Sequence, residues 1–226
     1  MPLFNLPDFF GYLTNGFLLR GVLVTLALTM VTIVGGLVLG MLLALLRMAR
    51  QRIVVAAVRG YIWIFRGTPL LIQLVIIYTG LPQLGLRFGV VGSALLALIL
   101  NEAAYLAEII RSGFMGVPRG QYEAAEALGL PKWLVLWKVT LPQAFRLMLP
   151  SLGNSVNGLL KSTSITSVIS MEELMRRSQM LMQEKFEVLE VFCAAAIFYL
   201  LMTTAWGVLQ QRLERHFGAA HEALRG

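Results

Sequence analysis

The chain has 226 residues, 58% of them hydrophobic and only 14% charged, with a mean hydropathy of +0.75, a balance that excludes a soluble domain built around one buried core. The formal net charge of +7 does not point to nucleic acid, because Lys and Arg gather at the ends of apolar runs, where membrane topology puts them. Cys193 is the single cysteine and lies in an apolar run, while His216 and His221 fall in the terminal tail, so neither an internal disulfide nor a metal site is expected.

The start, Met1-Pro2-Leu3-Phe4, lacks a basic stretch followed by a short apolar one, and no cleaved signal peptide is expected. Crossing the hydrocarbon layer takes roughly 20 apolar residues. The gaps between charges then predict five spans: Gly21 to Leu46, Gly67 to Leu86, Gly92 to Ile110, Leu147 to Met171 and Val191 to Gln211. The third contains Glu102 and Glu108 and the fourth Lys161, so these two rest on weaker hydropathy and on the need for an odd count.

Basic residues set the orientation. Thirteen lie in the loops after spans one and three and in the tail, among them Arg47, Arg59, Arg66, Arg111, Lys132 and Arg212, against five on the other side. The N-terminus is therefore expected outside and the C-terminus inside. On span one, Gly35, Gly36 and Gly40 suit close helix contact. Arg66-Gly67-Thr68-Pro69 opens span two, with Arg66 expected to snorkel to anionic headgroups and Pro69 to fit a first turn.

On span three, Asn101, Tyr105, Glu108 and Ser112 recur at i, i+4, i+7 and i+11, within about 60° on a helix, and Glu102 sits beside this stripe. Glu108 is expected to meet Arg111 one turn on rather than a ligand. On span four, Asn154, Asn157, Lys161 and Ser164 share one side, followed by Ser162, Thr163, Thr166 and Ser167. Spans this polar must face protein or water, since a charge facing lipid costs at least about 2.5 kcal/mol. A zwitterion needs donors for its carboxylate and acceptors for its ammonium, which Lys161 and Glu102 supply. The alternative is that the two pair with each other, or with backbone carbonyls, and only hold helices together.

The polar loop over residues 112–146 carries the most specific pattern. It reads Glu123-Ala124-Ala125-Glu126-Ala127-Leu128-Gly129, then nine residues, then Val139-Thr140-Leu141-Pro142. Pro118, Pro131, Pro142 and Pro150 punctuate it into short helices at angles. Gln121 to Leu128 is rich in good helix formers, Gly129 suits a left-handed C′ position, and Pro131 begins the next helix. An ordinary interfacial helix pair would also accommodate the alanines and prolines.

This loop resembles the EAA loop of the membrane subunits of ATP-binding cassette (ABC) importers, with Ile replaced by Val139. Phe65-Arg66-Gly67-Thr68-Pro69-Leu70-Leu71, Ala104-Tyr105-Leu106-Ala107-Glu108, Leu141-Pro142-Gln143-Ala144 and Lys161-Ser162-Thr163-Ser164-Ile165 are similar to the polar amino-acid uptake permeases, those for histidine, glutamine, glutamate, arginine, cystine and opines. The likeness runs from about residue 15 to 212. It implies an all-α integral membrane protein, a single permease domain over 1–226 with a type I importer fold and five helices, in the bacterial inner membrane.

The same resemblance implies two ATP-binding subunits, a second permease copy or a sister permease, an extracytoplasmic amino-acid-binding protein and membrane lipid as partners. ATP and Mg would be held by the ATPase, leaving no cofactor in this chain. Glu123, Ala124, Ala125, Gly129, Leu141 and Pro142 become the expected ATPase-coupling residues. Asn101, Glu102, Tyr105, Asn154, Asn157, Lys161, Ser162, Thr163 and Ser164 become the expected substrate path. Many relatives carry Asp where Ser162 stands, which argues against a strongly cationic substrate.

The stretch from Glu172 to Glu190 mixes five glutamates with Arg176, Arg177 and Lys185, and reads either as a docking surface for the binding protein or as a solvated loop. No phosphate-binding G-x-x-x-x-G-K-[ST], G-x-S-x-G or H-E-x-x-H occurs, so an enzyme is not expected. A secondary transporter would carry repeated halves, and a membrane scaffold would leave the polar fourth span unexplained; both stand as alternatives.

Overall fold

The computed structural model describes residues 4–222, with side chains through Phe217. The Met1-Pro2-Leu3 start, the His221 side chain and Arg225 lie outside the described residues. Apart from turns, all of the secondary structure is helical among the described residues.

A short helix, α1 (Leu6–Leu13), precedes the long apolar α2 (Gly16–Arg47), whose first turn is capped by Asn15 accepting from the amides of Phe17 and Leu18. Helices α3 (Arg52–Gly67) and α4 (Leu70–Val75) follow, and α4 runs through a π turn and a 3-10 turn to Leu84. Next come α5 (Val90–Met115), α6 (Arg119–Ala127), α7 (Lys132–Leu134) and a π segment, Val135–Thr140. Helix α8 (Leu141–Ser162) continues as a 3-10 turn, Thr163–Ile169, and α9 (Leu174–Lys185) and α10 (Val188–Glu222) complete the described chain.

Three of these helices, α2, α5 and α10, are long and apolar enough to cross a bilayer; a fourth crossing counts α3 and α4 as one broken span. That pair bends by 106° at Thr68-Pro69, because proline lacks the amide that would continue the ladder and pushes the preceding residue into extended backbone. The expected span Gly67 to Leu86 corresponds to α4 with its π and 3-10 turns, Leu70–Leu84, and the break at Thr68-Pro69 lies at its start. The expected fourth span, Leu147 to Met171, corresponds to α8 plus its 3-10 tail, whose polar content keeps it below that apolarity.

Contacts give the directions. Gly36 meets Glu102, Gly40 meets Leu106 and Arg47 meets Glu108, so α2 and α5 run parallel. Gly113 meets Met148 and Glu102 meets Ser155, so α8 runs antiparallel to α5; Trp206 and Gln210 meet Gly153, so α10 is antiparallel to α8. The α2–α5 seam is close-packed. A Cβ on Gly40 would sit 2.9 Å from the Leu106 Cβ and 3.2 Å from the Ala103 carbonyl oxygen. Small residues there let the helix backbones approach, as the glycine spacing predicts. The outer faces of α2 and α10 leave Leu23, Met30, Val38, Leu200 and Leu201 exposed, as a lipid-facing surface requires.

Candidate functional site

The loop between α5 and α8 folds as a rigid elbow. Helix α6 ends in a Schellman turn: the Leu130 amide donates to the Ala125 carbonyl, the Gly129 amide to that of Glu126, and Gly129 takes φ +70°. One face of α6 is pinned to the membrane helices. Ala125 is buried, Tyr122 packs on a cluster of Ala44, Ile110, Val117, Ala144 and Met148, and the Gln143 amide donates to the Gln121 side chain. The opposite face, with Glu123, Ala124, Glu126 and Ala127, is open. Leu141 is half-buried and Pro142 sits in the first turn of α8.

Three large apolar side chains beside α6 are also bare: Leu128, Trp133 and Trp137. The two tryptophans escaped the sequence reading, although a pair of Trp four residues apart in an otherwise polar loop is a legible sign of a surface that binds something. The open surface is thus apolar at its centre and charged at its rim.

Within the helices, the expected substrate-path residues separate into groups. Asn101 donates to the Gln73 side chain (2.9 Å) and to the Phe65 carbonyl (3.1 Å), and Gln73 donates to Phe65 and Thr68. Those bonds satisfy the backbone groups freed at the α3–α4 break. Asn101 therefore fastens the break. Glu102 is buried under Gly36, and its carboxylate accepts from Ser155 on α8.

A cavity of about 350 Å³ opens beside this pair, lined by Thr68, Asn101, Glu102, Tyr105, Ser155, Gly158 and Ser162 among others. Lys161 is not in it. It lines a different crevice of about 440 Å³ with Ser164, Met175, Tyr199 and Thr203, between α8, α9 and α10. The reason is angular: Ser155 and Ser162 are seven residues apart on one side of α8, while Asn154, Asn157 and Lys161 lie about 80–160° round the same helix. The expected pairing of Lys161 with Glu102, as joint ligands or as an ion pair, is not what the fold builds. Ser155, adjacent to Asn154 but on the other face, was missed for the same reason. Its signal was the seven-residue spacing to Ser162.

The hydroxyls of the 3-10 tail are mostly engaged locally. Thr163 donates to Leu160, Ser164 to Lys161 and Thr166 to Thr163, so Thr163 and Ser164 shape the backbone of the tail. Glu108 sits at the far end of α5 between Arg47 and Arg111, with Arg111 Nη2 at 2.9 Å, which accounts for it without a ligand. Arg66 is exposed at the end of α3. Tyr61 donates to the Leu100 carbonyl and Asn101 to that of Phe65, which holds the end of α3 at the middle of α5, and the Arg66 guanidinium lies 5.3 Å from the centre of the Tyr105 ring.

The glutamate-rich stretch is partly structural. Glu173 is fully buried and caps α9 while accepting from Tyr199. Glu190 accepts from the Asn5 amide and Glu187 from Tyr12, whose hydroxyl is pushed upward first by burial and then by that carboxylate. Arg177 packs on Phe17 and pairs with Glu172. Glu184, Lys185 and Phe186 remain open.

A seam of parallel helices, an elbow pinned on one side and open on the other, and a polar cavity at mid-helix describe a membrane component that works with partners. Residues 36–218 match the family described as the binding-protein-dependent transport system inner membrane component. The chain belongs to this family. It is a multi-pass protein of the cytoplasmic membrane and a permease of the ABC importer class. It is 41% identical over 188 residues to a putative glutamine transport system permease of Rickettsia conorii, covering 82% of this chain and 86% of that one. It is 43% identical over 194 residues to the octopine transport system permease OccM of Rhizobium meliloti, covering 82% and 79%. The structure of an amino acid ABC transporter with histidines superposes with a TM-score of 0.84 at 35% identity, over 88% of this chain and 94% of that chain. Inward-facing structures of a methionine ABC transporter share the fold at 21% identity and a TM-score of 0.74.

Proposed function

We propose that this chain is the translocating subunit of an importer for polar amino acids, working by alternating access and driven by ATP hydrolysis in a separate ATPase. The relatives named for glutamine and octopine, and the amino acid ABC transporter solved with histidines, support the substrate class. The observation that carries the coupling is the elbow: α6 is rigidly capped at Gly129, seated by Tyr122 and Ala125 on α5 and α8, and exposes Glu123, Ala124, Leu128, Trp133 and Trp137 to a partner. Closure of two ATPase subunits would draw two such elbows together. Because each is packed against the ends of α5 and α8, the movement passes to the helices as a rigid-body turn.

In this reading the alternating helix directions correspond to five crossings, counting α3–α4 and α8 with its tail as one each, with the elbow in the cytoplasm. Glu102, Tyr105, Ser155 and Ser162 form the polar station on the path. Asn154, Asn157 and Lys161 face the second permease copy or sister permease, and Glu184, Lys185 and Phe186 face the solute-binding protein. ATP and Mg reside in the ATPase.

The test is co-purification with the cognate ATPase. Gly129→Val, which places a branched residue at φ +70°, should lose the ATPase or its stimulated hydrolysis while the membrane part keeps its melting temperature. Normal docking and stimulation in that variant would remove the elbow from the coupling role.

A further inference from the structure

One face of α3 is an arginine ladder whose top rung touches a wall of the cavity. Arg52, Arg59 and Arg66 follow at seven-residue intervals, which leaves them within about 40° of one another on a helix. All three are exposed, and among the described residues none has a carboxylate within ion-pairing distance. The lower rungs, Arg52 and Arg59, line a cleft of about 510 Å³ together with Arg50. The top rung, Arg66, lies on Tyr105, which itself lines the cavity of Glu102, Ser155 and Ser162.

Charge on the opposite side does not balance the ladder. On α5, which packs against α3, Glu108 is shared between Arg47 and Arg111. Glu102 alone faces the cavity, and its carboxylate is already hydrogen-bonded to Ser155. Position 162, between Glu102 and the α3–α4 break, carries a hydroxyl and no charge. A ligand held beside Tyr105 thus meets one engaged carboxylate and one unpaired guanidinium.

We infer that Arg66 is a specificity-determining residue that receives the α-carboxylate of the substrate at Tyr105, and that the α3 ladder makes this permease take neutral or acidic amino acids and reject those with a cationic side chain. This rests on the amino-acid importer reading above and names the substrate class within it. A guanidinium suits a carboxylate by its paired donors. A second positive charge on the ligand would be left beside Arg66 without a counter-ion, and like charges set side by side are disfavoured.

The experiment uses the permease–ATPase complex in nanodiscs without its binding protein, so that selectivity is read from the membrane part. Binding of glutamine, glutamate and arginine is measured by ligand-dependent thermal shift, and uptake of the same three by the complete system. Glutamine or glutamate should bind at least about tenfold more tightly than arginine. R66Q and R66E should weaken all three ligands by about tenfold or more, because all share the α-carboxylate, and should erase the preference against arginine, while R66K should keep both. Arginine binding as tightly as glutamine in the native complex, or an unchanged ranking in R66E with a normally assembled complex, overturns the inference while leaving the importer intact. No binding and no uptake of any amino acid would overturn both.

Discussion

The elbow over residues 116–146 and the polar cavity between α5 and α8 are built on opposite principles. Each contact that shapes the end of the elbow helix is local: the Schellman bonds join Leu130 to Ala125 and Gly129 to Glu126, and prolines at 118 and 131 cap the helices that follow. The cavity depends on residues far apart in sequence, with Ser155 on Glu102, Gly36 over Glu102, and Asn101 on Phe65 and Gln73. In the proposed function the elbow docks the ATPase, and a short motif suffices to encode such a device. The cavity, in the same proposal, changes its exposure between two states, which calls for a site shared among helices that move relative to one another.

Substitutions probe that contrast. The largest effect is expected at the seam that supports the cavity: Gly40→Leu overpacks α2 against Leu106 and Ala103 and should cost about 1–3 kcal/mol or more, read as loss of folded protein in detergent. Gly60→Ala, with open space around its Cα, is the control and should change the melting temperature little. Next, Asn101→Leu leaves the Gln73 side-chain oxygen without its donor and takes one of two donors from the Phe65 carbonyl, and should cost about 1–3 kcal/mol, with protease sensitivity appearing at the α3–α4 break. An unchanged cleavage pattern would show that Asn101 is free for substrate after all.

Smaller effects separate the two faces of α8. Glu102→Gln should lower uptake by about tenfold without disturbing assembly, since it alters the charged group of the cavity and keeps the Ser155 contact. Lys161→Ala should change uptake by less than about twofold, the size of an ordinary surface substitution. Were the lysine variant the more damaged of the two, the path would run through the α8–α9–α10 crevice, and the Glu102 cavity would be a packing defect off the route.

What was readable in the sequence follows from range. Gly129 with its left-handed turn, the Gly35-Gly36-Gly40 contact, the Glu108–Arg111 pair and the three long apolar helices all arise from neighbours a few residues apart or from hydropathy summed along one helix. The α3–α4 break was not legible because Thr68-Pro69 reads equally well as a helix start. Only the Asn101 bonds, to Gln73 across 28 residues and to Phe65 across 36, show that the end of α3 is held against the middle of α5.

The sequence by itself determined a membrane protein, the positions of its main helices and the turn that ends the elbow helix, because hydrophobic runs, prolines and glycines act locally on the backbone. Tertiary structure alone decided which polar groups share a cavity. Ser162 and Lys161 are neighbours in the chain yet point about 100° apart on a helix, so adjacency in a motif said nothing of which one would meet Glu102.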